Sequence, residues 1–380
     1  MELTISGFWT ALVIIIVMSI FLFFVTRNSD LYNTVSPTTV ILCGLLVLVR
    51  VVLPCEIGFA RDMYIPRIFP VLDSVIRYDI IKLGSHAITI WMIMLFIWCI
   101  AAVKKLYELI CDYIKMCRIV ELCDEPDSDL LFNIQKMQVR AGVTSRAITY
   151  KVSKLYGNPF VFGVGKPIII LPLSVSLRSE DELYMVLLHE WSHYKRKDGI
   201  TKIVLEVFCR IFWWLPFIGV IKRRINEAME IRADWNVIKN MQEDEKTQYM
   251  ILLCEMSEIA SANQGGMILS NTFIDGQIST MERRFEFIND KYRWGFKNVA
   301  LLLISTVIFI SSYFVILEPR YVPDDGTVNC KSTCYLYKQC DESYDVYMDG
   351  VYIGALNDIN FLSASDFKDV EIKVIKEDER

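Results

Sequence analysis

The sequence has 380 residues, of which 53% are hydrophobic and 22% are charged, and its mean hydropathy is +0.35. A soluble domain usually contains about 45–50% apolar and about 25% charged residues, so this composition argues against an entirely soluble protein. The formal net charge of −5 argues against a direct nucleic-acid partner bound through a basic surface.

Four apolar segments are long enough to cross a bilayer as helices: residues 8–25, 35–53, 83–103 and 299–317. No basic region precedes the first segment and no small-residue cleavage site follows it, so we expect an anchor instead of a cleaved signal peptide. Basic residues gather where the third and fourth segments meet residues 104–298, which predicts a cytoplasmic location for that part. We therefore expect a multi-pass plasma-membrane protein with its N-terminus and C-terminal tail outside.

The predicted cytoplasmic part combines helices with a group of strands. Residues 148–173 are rich in β-branched residues interrupted by glycine and proline, which indicates strands. Apolar residues at helical spacing predict helices elsewhere. These are residues 104–121, 129–141, 179–197 and 223–241.

An H-E-x-x-H pattern, His189 to His193, lies within one of these predicted helices. A spacing of four places both imidazoles on one helical face, where they can bind one zinc ion. Glu190 is then placed to take a proton from a zinc-bound water and pass it to the leaving amine. The chain has only three histidines, so a chance occurrence explains the pattern poorly. We expect the third, His86 in the predicted third span, to be a packed or interfacial residue.

A catalytic zinc ion takes three protein ligands and keeps one position open. No further histidine lies in the predicted cytoplasmic part, so the third ligand should be a carboxylate or a cysteine. Glu230 and Asp234 share a face of the next long helix, so one can bind the ion while the other orients a ligand histidine. Glu227 could also face inward, and spacing alone does not exclude it.

Residues 200–221 are apolar enough to suggest a fifth span. However, Lys202, Glu206 and Arg210 recur every four residues and would form a polar stripe on a helix. A complete crossing would also put the histidines of the H-E-x-x-H pattern and Glu230 on opposite sides of the membrane. We therefore predict an interfacial or re-entrant hairpin that holds the site near the membrane surface.

These motifs together resemble the BlaR/MecR-type membrane zinc metallopeptidases, a gluzincin family that includes the β-lactam sensor-transducers. Three spans before the peptidase and one after it also agree, so the resemblance covers roughly residues 1–317. Four segments carry it: the strand region Asn158–Gly163 with Lys166–Pro172, the zinc helix His189–His193 with Tyr194–Asp198, the aromatic-proline turn Phe212–Phe217, and the helix from Met229-Glu230 to Ala233-Asp234.

The resemblance implies a mainly α-helical membrane protein with a cytoplasmic α+β zincin domain. It also implies that Glu230 is the third zinc ligand and that Asp234 orients a ligand histidine. The strand region, with Phe160, Phe162 and Gly163, would be an edge to which an extended substrate peptide adds as a further strand. Ordinary core strands remain the alternative.

The C-terminal tail, residues 318–380, departs from the family pattern, because the sensor-transducers carry a large penicillin-binding domain there. Residues 344–348, 351–353 and 370–375, with an Asp349-Gly350 turn, predict a small extracellular β-module. Four cysteines are predicted to lie outside and could form two disulfides, or Cys55 could stay unpaired at the membrane edge. They are Cys55, Cys330, Cys334 and Cys340.

The predicted function is a signalling zinc metalloendopeptidase that cuts itself, a cytoplasmic transcriptional repressor, or both. The resemblance makes a winged-helix repressor the expected partner, beside membrane lipid. Residues 261–285, which include Gly265-Gly266 and Arg283-Arg284, are expected to be an exposed self-cleavage segment or a simple linker. The alternatives are a constitutive membrane-protein processing or quality-control protease and a scaffold with a structural zinc site. Glu190 argues against the scaffold.

Overall fold

The chain is mainly helical in a computed structural model, which describes residues 5–27, 35–53, 61–65, 75, 78–83, 86–143, 148–163, 165–263, 281–289, 296–319, 333–338, 344–348, 351–355 and 371–375. The helices are α1 (Ile5–Arg27), α2 (Pro37–Val52), α3 (Ile90–Glu121), α4 (Ser128–Arg140), α5 (Leu173–Ser176), α6 (Glu180–Arg196), α7 (Asp198–Ile211), α8 (Pro216–Ile238), α9 (Glu243–Asn263), α10 (Met281–Asn289) and α11 (Phe296–Ser311). The strands are β1 (Arg61–Ile65), β2 (Asp79–Leu83), β3 (His86–Thr89), β4 (Thr149–Ser153), β5 (Phe160–Phe162), β6 (Ile168–Pro172), β7 (Val315–Pro319), β8 (Thr333–Lys338), β9 (Tyr344–Met348), β10 (Val351–Ala355) and β11 (Glu371–Ile375).

The chain divides into two compact units. The first contains Met1–Thr10, Cys55–Phe96 and Tyr313–Arg380, and the second contains Ala11–Pro54 and Ile97–Ser312. In the first unit, β1 pairs in parallel with β7, and β2 pairs with β3 as an antiparallel hairpin. The tail forms a four-stranded sheet in the order β10-β9-β8-β11.

Helix α3 is the one helix, within the described ranges, that is long and apolar enough to cross a membrane. Shorter apolar stretches occur at Thr10–Val25, Pro37–Arg50 and Asn298–Ser311. Two predicted boundaries were wrong. Leu83 belongs to β2 and His86–Thr89 to β3, not to the third helix, and residues 315–317 belong to β7 and not to the fourth. An apolar run indicates burial or membrane contact, but it does not separate a strand from a helix.

A first hydrophobic cluster joins α1 and α2 to α8. Ile218, Ile221 and Ile225 of α8 are almost fully buried in it, together with residues of α1 and α2. Gly44 of α2 lies so close to α8 that a Cβ atom there would be 2.7 Å from Cδ1 of Ile225. The absence of a side chain at Gly44 therefore permits this close packing.

A second hydrophobic cluster is the core of the predicted peptidase region. Its sheet has the order β4-β6-β5, with β4 parallel and β5 antiparallel to β6. Leu183, Leu187 and Trp191 of α6 pack in this cluster with buried residues of the sheet, of α9 and of the last turn of α8. Helix α8 therefore contributes to both clusters.

Helix α7 and the start of α8 occupy the region predicted as a hairpin, with α8 beginning at Pro216 instead of residue 223. The polar stripe of α7 points toward other protein groups. Glu206 Oε1 lies 2.6 Å from Nζ of Lys222, and Arg210 Nη1 lies 3.8 Å from Oε2 of Glu108. The helix end is fixed by Trp98, whose Nε1 donates to the carbonyl of Ile211 at 2.8 Å.

The tail strands agree with the prediction where they are described: β9 and β10 pair antiparallel, and β11 covers most of residues 370–375. Strand β8, which was not predicted, lies between β9 and β11. Asp349-Gly350, Cys55, Cys330 and Cys340 lie outside the described residues, and only the backbone of Cys334 is described. The disulfide pairing therefore stays a prediction.

Candidate metal centre

Helix α6 has well-defined ends. At its start, Glu182 and Ser179 form a capping box, with Ser179 N donating to Oε2 of Glu182 at 3.2 Å. At its end, Lys197 adopts a left-handed conformation with φ of 56° and turns the chain directly into α7. Trp191 is 1% exposed and donates from Nε1 to the hydroxyl of Tyr150 at 3.0 Å, which fixes the helix against the sheet.

Three predicted metal-binding side chains converge at one point. His189 Nε2 lies 3.2 Å from His193 Nε2 and 3.2 Å from Oε2 of Glu230. His193 Nε2 lies 3.6 Å from Oε1 of Glu230. A tetrahedral zinc ion, with bonds of about 2.0–2.2 Å, separates its ligand atoms by about 3.3–3.6 Å. The three side chains therefore fit a zinc-sized cation, and they form a group that could hold a metal ion.

His193 is oriented by the start of α7. Its Nδ1 lies 2.8 Å from Oδ2 of Asp198, a buried carboxylate that also accepts a hydrogen bond from Nη2 of Arg232. Such a carboxylate fixes the ring and leaves Nε2 available to the metal. Asp198 can take this position because the left-handed Lys197 ends α6 one residue before it.

His189 is oriented by a second group of buried side chains. Its Nδ1 lies 3.1 Å from Oδ1 of Asp234 and 3.0 Å from the hydroxyl of Tyr249, and that hydroxyl donates to Asp234 at 2.7 Å. Arg284 of α10 donates from Nε and Nη2 to the two oxygens of Asp234, both at 2.7 Å. The structure thus brings Asp234 into contact with a candidate ligand, as the sequence predicted.

Buried charges shift the pKa values in this group. Burial alone would lower the pKa of His193, but the carboxylates of Glu230 and Asp198 outweigh it and raise the pKa to about 9. Burial raises the pKa of Glu190. Burial would also raise the pKa of Asp234, but Arg284 and His189 hold it well below its usual range. Asp234 is therefore ionised at neutral pH, whereas the environment of Glu190 favours proton uptake.

Glu227, the alternative third ligand, contacts arginines instead of histidines. Its Oε2 lies 2.8 Å from Arg224 Nη1, and its Oε1 lies 3.0 Å from Arg283 Nη1. The structure therefore places Glu230, and not Glu227, beside the two histidines.

The predicted substrate-binding residues lie on β5, which pairs with β6 alone among the described strands. The side chains of Phe160 and Phe162 are 8% and 9% exposed and pack in a small hydrophobic cluster with Tyr156 and Met116. Gly163 has φ of +89°, and a Cβ atom there would lie 2.6 Å from the carbonyl oxygen of Lys166. The two rings are therefore buried inside the protein, and β5 has no partner on its other side among the described strands.

Sequence reasoning did not assign roles to Asp198, Tyr249, Arg284 or Lys202. The position of Asp198 directly after the zinc helix could have indicated its role. Tyr249 and Arg284 lie more than fifty residues after the histidines, and no local spacing connects them. Arg283-Arg284 was predicted within an exposed cleavage segment or a linker, but both lie in α10, and Arg284 is only 9% exposed. The Gly265-Gly266 part of that segment lies outside the described residues.

The comparison with protein families agrees with this arrangement. A family model described as BlaR1 peptidase M56 matches residues 78–288, which is more than half of the chain and includes every residue of the metal-binding group. The chain belongs to the BlaR1 peptidase M56 family. The expected resemblance to BlaR/MecR-type proteins is thereby confirmed, and the chain is a member of a metallopeptidase family.

Curated relatives of this M56 protein include the "Regulatory protein BlaR1" of Bacillus licheniformis, 31% identical over 129 residues, which are 34% of this chain and 21% of that protein. The protein of the same name from Staphylococcus aureus is 30% identical over 171 residues, 44% of this chain and 28% of that protein. The "Methicillin resistance mecR1 protein" of Staphylococcus aureus strain Mu50 is 27% identical over 201 residues, 52% of this chain and 33% of that protein. The match therefore spans about a fifth to a third of the length of these relatives.

Proposed function

We propose that this M56 protein is a membrane-embedded zinc metalloendopeptidase. His189, His193 and Glu230 are the metal ligands, and Glu190 is the general base and acid. The observation that carries the proposal is the convergence of the three ligand side chains, at 3.2–3.6 Å from one another, beside a buried Glu190. Two imidazoles and one carboxylate are a ligand set that suits zinc in peptidases.

When bound, the zinc ion supplies a Lewis acid and lowers the pKa of a water molecule. Glu190 takes the proton from the attacking water and delivers it to the amide nitrogen as the peptide bond breaks. Its buried environment favours this exchange, because burial raises the pKa of its carboxyl group above the usual value. Asp234 and Asp198 keep the two histidine rings oriented through their Nδ1 atoms.

The substrate is a peptide segment that adds to the edge of β5 in an extended conformation. In this arrangement, backbone groups of β5 up to Gly163 supply hydrogen bonds, and the buried rings of Phe160 and Phe162 support the strand from below. Binding through the backbone accommodates many sequences, so side-chain pockets elsewhere determine the specificity.

The domain and membrane arrangement is also part of the proposal. Residues 1–103 carry three membrane helices, residues 104–298 form the cytoplasmic peptidase with an interfacial hairpin near residues 200–221, residues 299–317 include a fourth span, and residues 318–380 form an extracellular β-module. The support is the basic residues next to the third and fourth segments and the apolar stretches of α1, α2, α3 and α11.

The favoured biological role is signal transduction, in which an external event at the tail or at the loop of residues 54–82 activates cleavage of the protein itself, of a cytoplasmic transcriptional repressor, or of both. The printed names of the relatives, a regulatory protein and a methicillin resistance protein, support this role. A winged-helix repressor is the expected partner. The alternative is a constitutive protease that processes membrane proteins or clears misassembled ones without a sensor.

The decisive test replaces Glu190 with glutamine. We expect Glu190→Gln to bind zinc as the unaltered protein does but to lose at least 100-fold in peptide cleavage, because general acid–base catalysis contributes about 10²–10⁴-fold. Zinc content is measured by mass spectrometry of the purified protein, and cleavage is measured from new peptide termini in cells.

The identity of the cut proteins separates the two roles. A repressor that stays intact only with Glu190→Gln supports signalling, whereas changes limited to misassembled membrane proteins support the constitutive protease. Undiminished cleavage by Glu190→Gln would contradict the peptidase proposal itself.

A further inference from the structure

Lys202 lies on the same face of α7 as Asp198, because the two residues are four positions apart. This face meets the metal-binding group. Asp198 Oδ2 contacts Nδ1 of His193 at 2.8 Å, and Lys202 Nζ lies 3.7 Å from Oε1 of Glu230. Helix α7 therefore brings one fixed carboxylate and one ammonium group to the site.

The ammonium group of Lys202 remains available to a ligand. In the described part of the chain it forms an ion pair with Glu230, but 3.7 Å is too long for a hydrogen bond. A quarter of its side chain, 25%, is exposed. Arg284 Nη1 also approaches Glu230, at 3.9 Å, but Arg284 already donates two 2.7 Å hydrogen bonds to Asp234.

The position of Lys202 places its positive charge beside the metal-binding group. Its Nζ lies 3.7 Å from Oε1 of Glu230, and the same oxygen lies 3.6 Å from Nε2 of His193. The buried Glu190 directly follows His189 on α6. A partly exposed cation in this position is suited to a negative charge that appears only during the reaction.

Building on the proposed peptidase function, we propose that Lys202 is a catalytic residue that stabilises the oxyanion of the scissile peptide group. When the water oxygen bonds to the carbonyl carbon, the π electrons move to the carbonyl oxygen and a water proton moves to Glu190. When the C–N bond breaks, the C=O bond forms again and the nitrogen takes the proton from Glu190. Lys202 keeps its proton throughout and lowers the energy of the charged intermediate.

The test replaces Lys202 with methionine in the full-length protein, using a quenched fluorescent peptide selected from a mixed library with the unaltered protein. We expect kcat to fall about 100- to 1,000-fold with little change in KM, as for removal of a single oxyanion donor. A peptide phosphonate, which imitates the charged intermediate, should bind more weakly by a similar factor. Zinc affinity should stay within about twofold, and Lys202→Arg should recover part of kcat.

Lys195→Met is the matched control, because Lys195 is an exposed lysine of α6 that donates to the carbonyl of Ala141 at 3.4 Å. It should leave kcat and zinc affinity unchanged. An unchanged kcat in Lys202→Met would overturn the proposal, and so would a loss of zinc affinity equal to the loss of kcat, which would make Lys202 a support for Glu230. Loss of activity in Glu190→Gln with full activity in Lys202→Met would reject Lys202 alone and leave the peptidase proposal standing.

Discussion

The two helices that supply the metal-binding side chains are held in place by different parts of the chain. Helix α6 packs entirely in the cluster with the β4-β6-β5 sheet, and its two histidines are four residues apart on one helix. Helix α8 packs with α1 and α2 as far as Ile231 and reaches the sheet cluster with its last turn. Glu230 therefore lies near the end of the part that packs with α1 and α2.

This difference indicates where the site can be altered from a distance. The spacing of His189 and His193 is local, because both lie one turn apart on α6. The orientation of the His189 ring, however, also depends on Asp234 of α8 and, through it, on Arg284 of α10. The position of Glu230 depends on α2 and α10, which are remote in sequence. Changes in these two helices should reach the metal centre through α8 and leave α6 in place.

The largest effect should follow from removal of the contact between α10 and Asp234. Arg284→Met leaves a buried carboxylate without its guanidinium and loosens the orientation of His189. We expect zinc affinity to fall about 10- to 100-fold, which is typical for the loss of a residue that orients a ligand. The measurement is competition with a chromogenic zinc chelator.

Arg283→Met is the matched control for this variant. Arg283 is the neighbouring arginine of α10, and it pairs with Glu227 at 3.0 Å instead of with Asp234. The Arg283→Met variant should change zinc affinity less than threefold. Equal losses of zinc affinity in the two variants would show that zinc binding depends on the docking of α10 and not on the orientation of His189. The Arg284→Met/Asp234→Asn double variant removes both buried charges. It should therefore be more stable than Arg284→Met alone but should still bind zinc more weakly than the unaltered protein does.

The sequence was sufficient for the elements and residues that local spacing defines. The histidines of α6 and the pair of Glu230 and Asp234 each recur at a spacing of four, and the structure brings them together. The β9–β10 hairpin of the tail followed from a turn signal between two strand-like segments, whereas β8 was not predicted. In each case, neighbours along one element determine which face a side chain occupies.

Contacts between remote elements could not be predicted in this way. The distinction between Glu227 and Glu230 required the resemblance, because both lie near one face of α8, and only tertiary packing places Arg283 beside Glu227. The sequence places Arg284 in an expected exposed segment or linker, whereas the structure buries it. Charged residues are mostly exposed, and a buried arginine is recognised only when its carboxylate partner is known.

A smaller effect should follow from adding one methyl group at Gly44, where α2 meets α8. The Cβ atom of Gly44→Ala would lie 2.7 Å and 2.8 Å from Cδ1 and Cγ1 of the buried Ile225, so α8 or this side chain must shift. Overpacking of this kind costs about 1–3 kcal/mol. We expect a lower midpoint of thermal unfolding and weaker zinc binding, both measured on the full-length protein in detergent.

Gly219→Ala on α8 controls for the intrinsic preference of helices for alanine, because nothing lies within 4 Å of a Cβ atom at Gly219. This variant should be as stable as the unaltered protein or slightly more stable, and it should bind zinc normally. If Gly44→Ala unfolds at a lower temperature but binds zinc normally, the packing of α2 does not control the position of Glu230.

Zinc binding should also depend on pH, and this dependence tests the α6 side of the comparison. The carboxylates of Glu230 and Asp198 raise the pKa of His193 from 6.5 to about 9, so at neutral pH the metal-free imidazole carries a proton that zinc must displace. Each unit of pH from about 6.5 to about 9 should therefore increase zinc affinity roughly tenfold for this one proton.

The stability of the metal-free protein should change in the opposite direction. A pKa that is higher in the folded state stabilises that state fully below about pH 6.5, and this contribution is lost as the pH rises through about 9. Asp198→Asn removes one of the carboxylates, so it should lower the pKa of His193 and weaken both pH dependences between about pH 7 and 9. Zinc titrations and thermal unfolding at matched pH values measure the two trends. A zinc affinity that stays constant over this range would mean that His193 is neutral in the metal-free protein and that the carboxylates around it do not hold its proton.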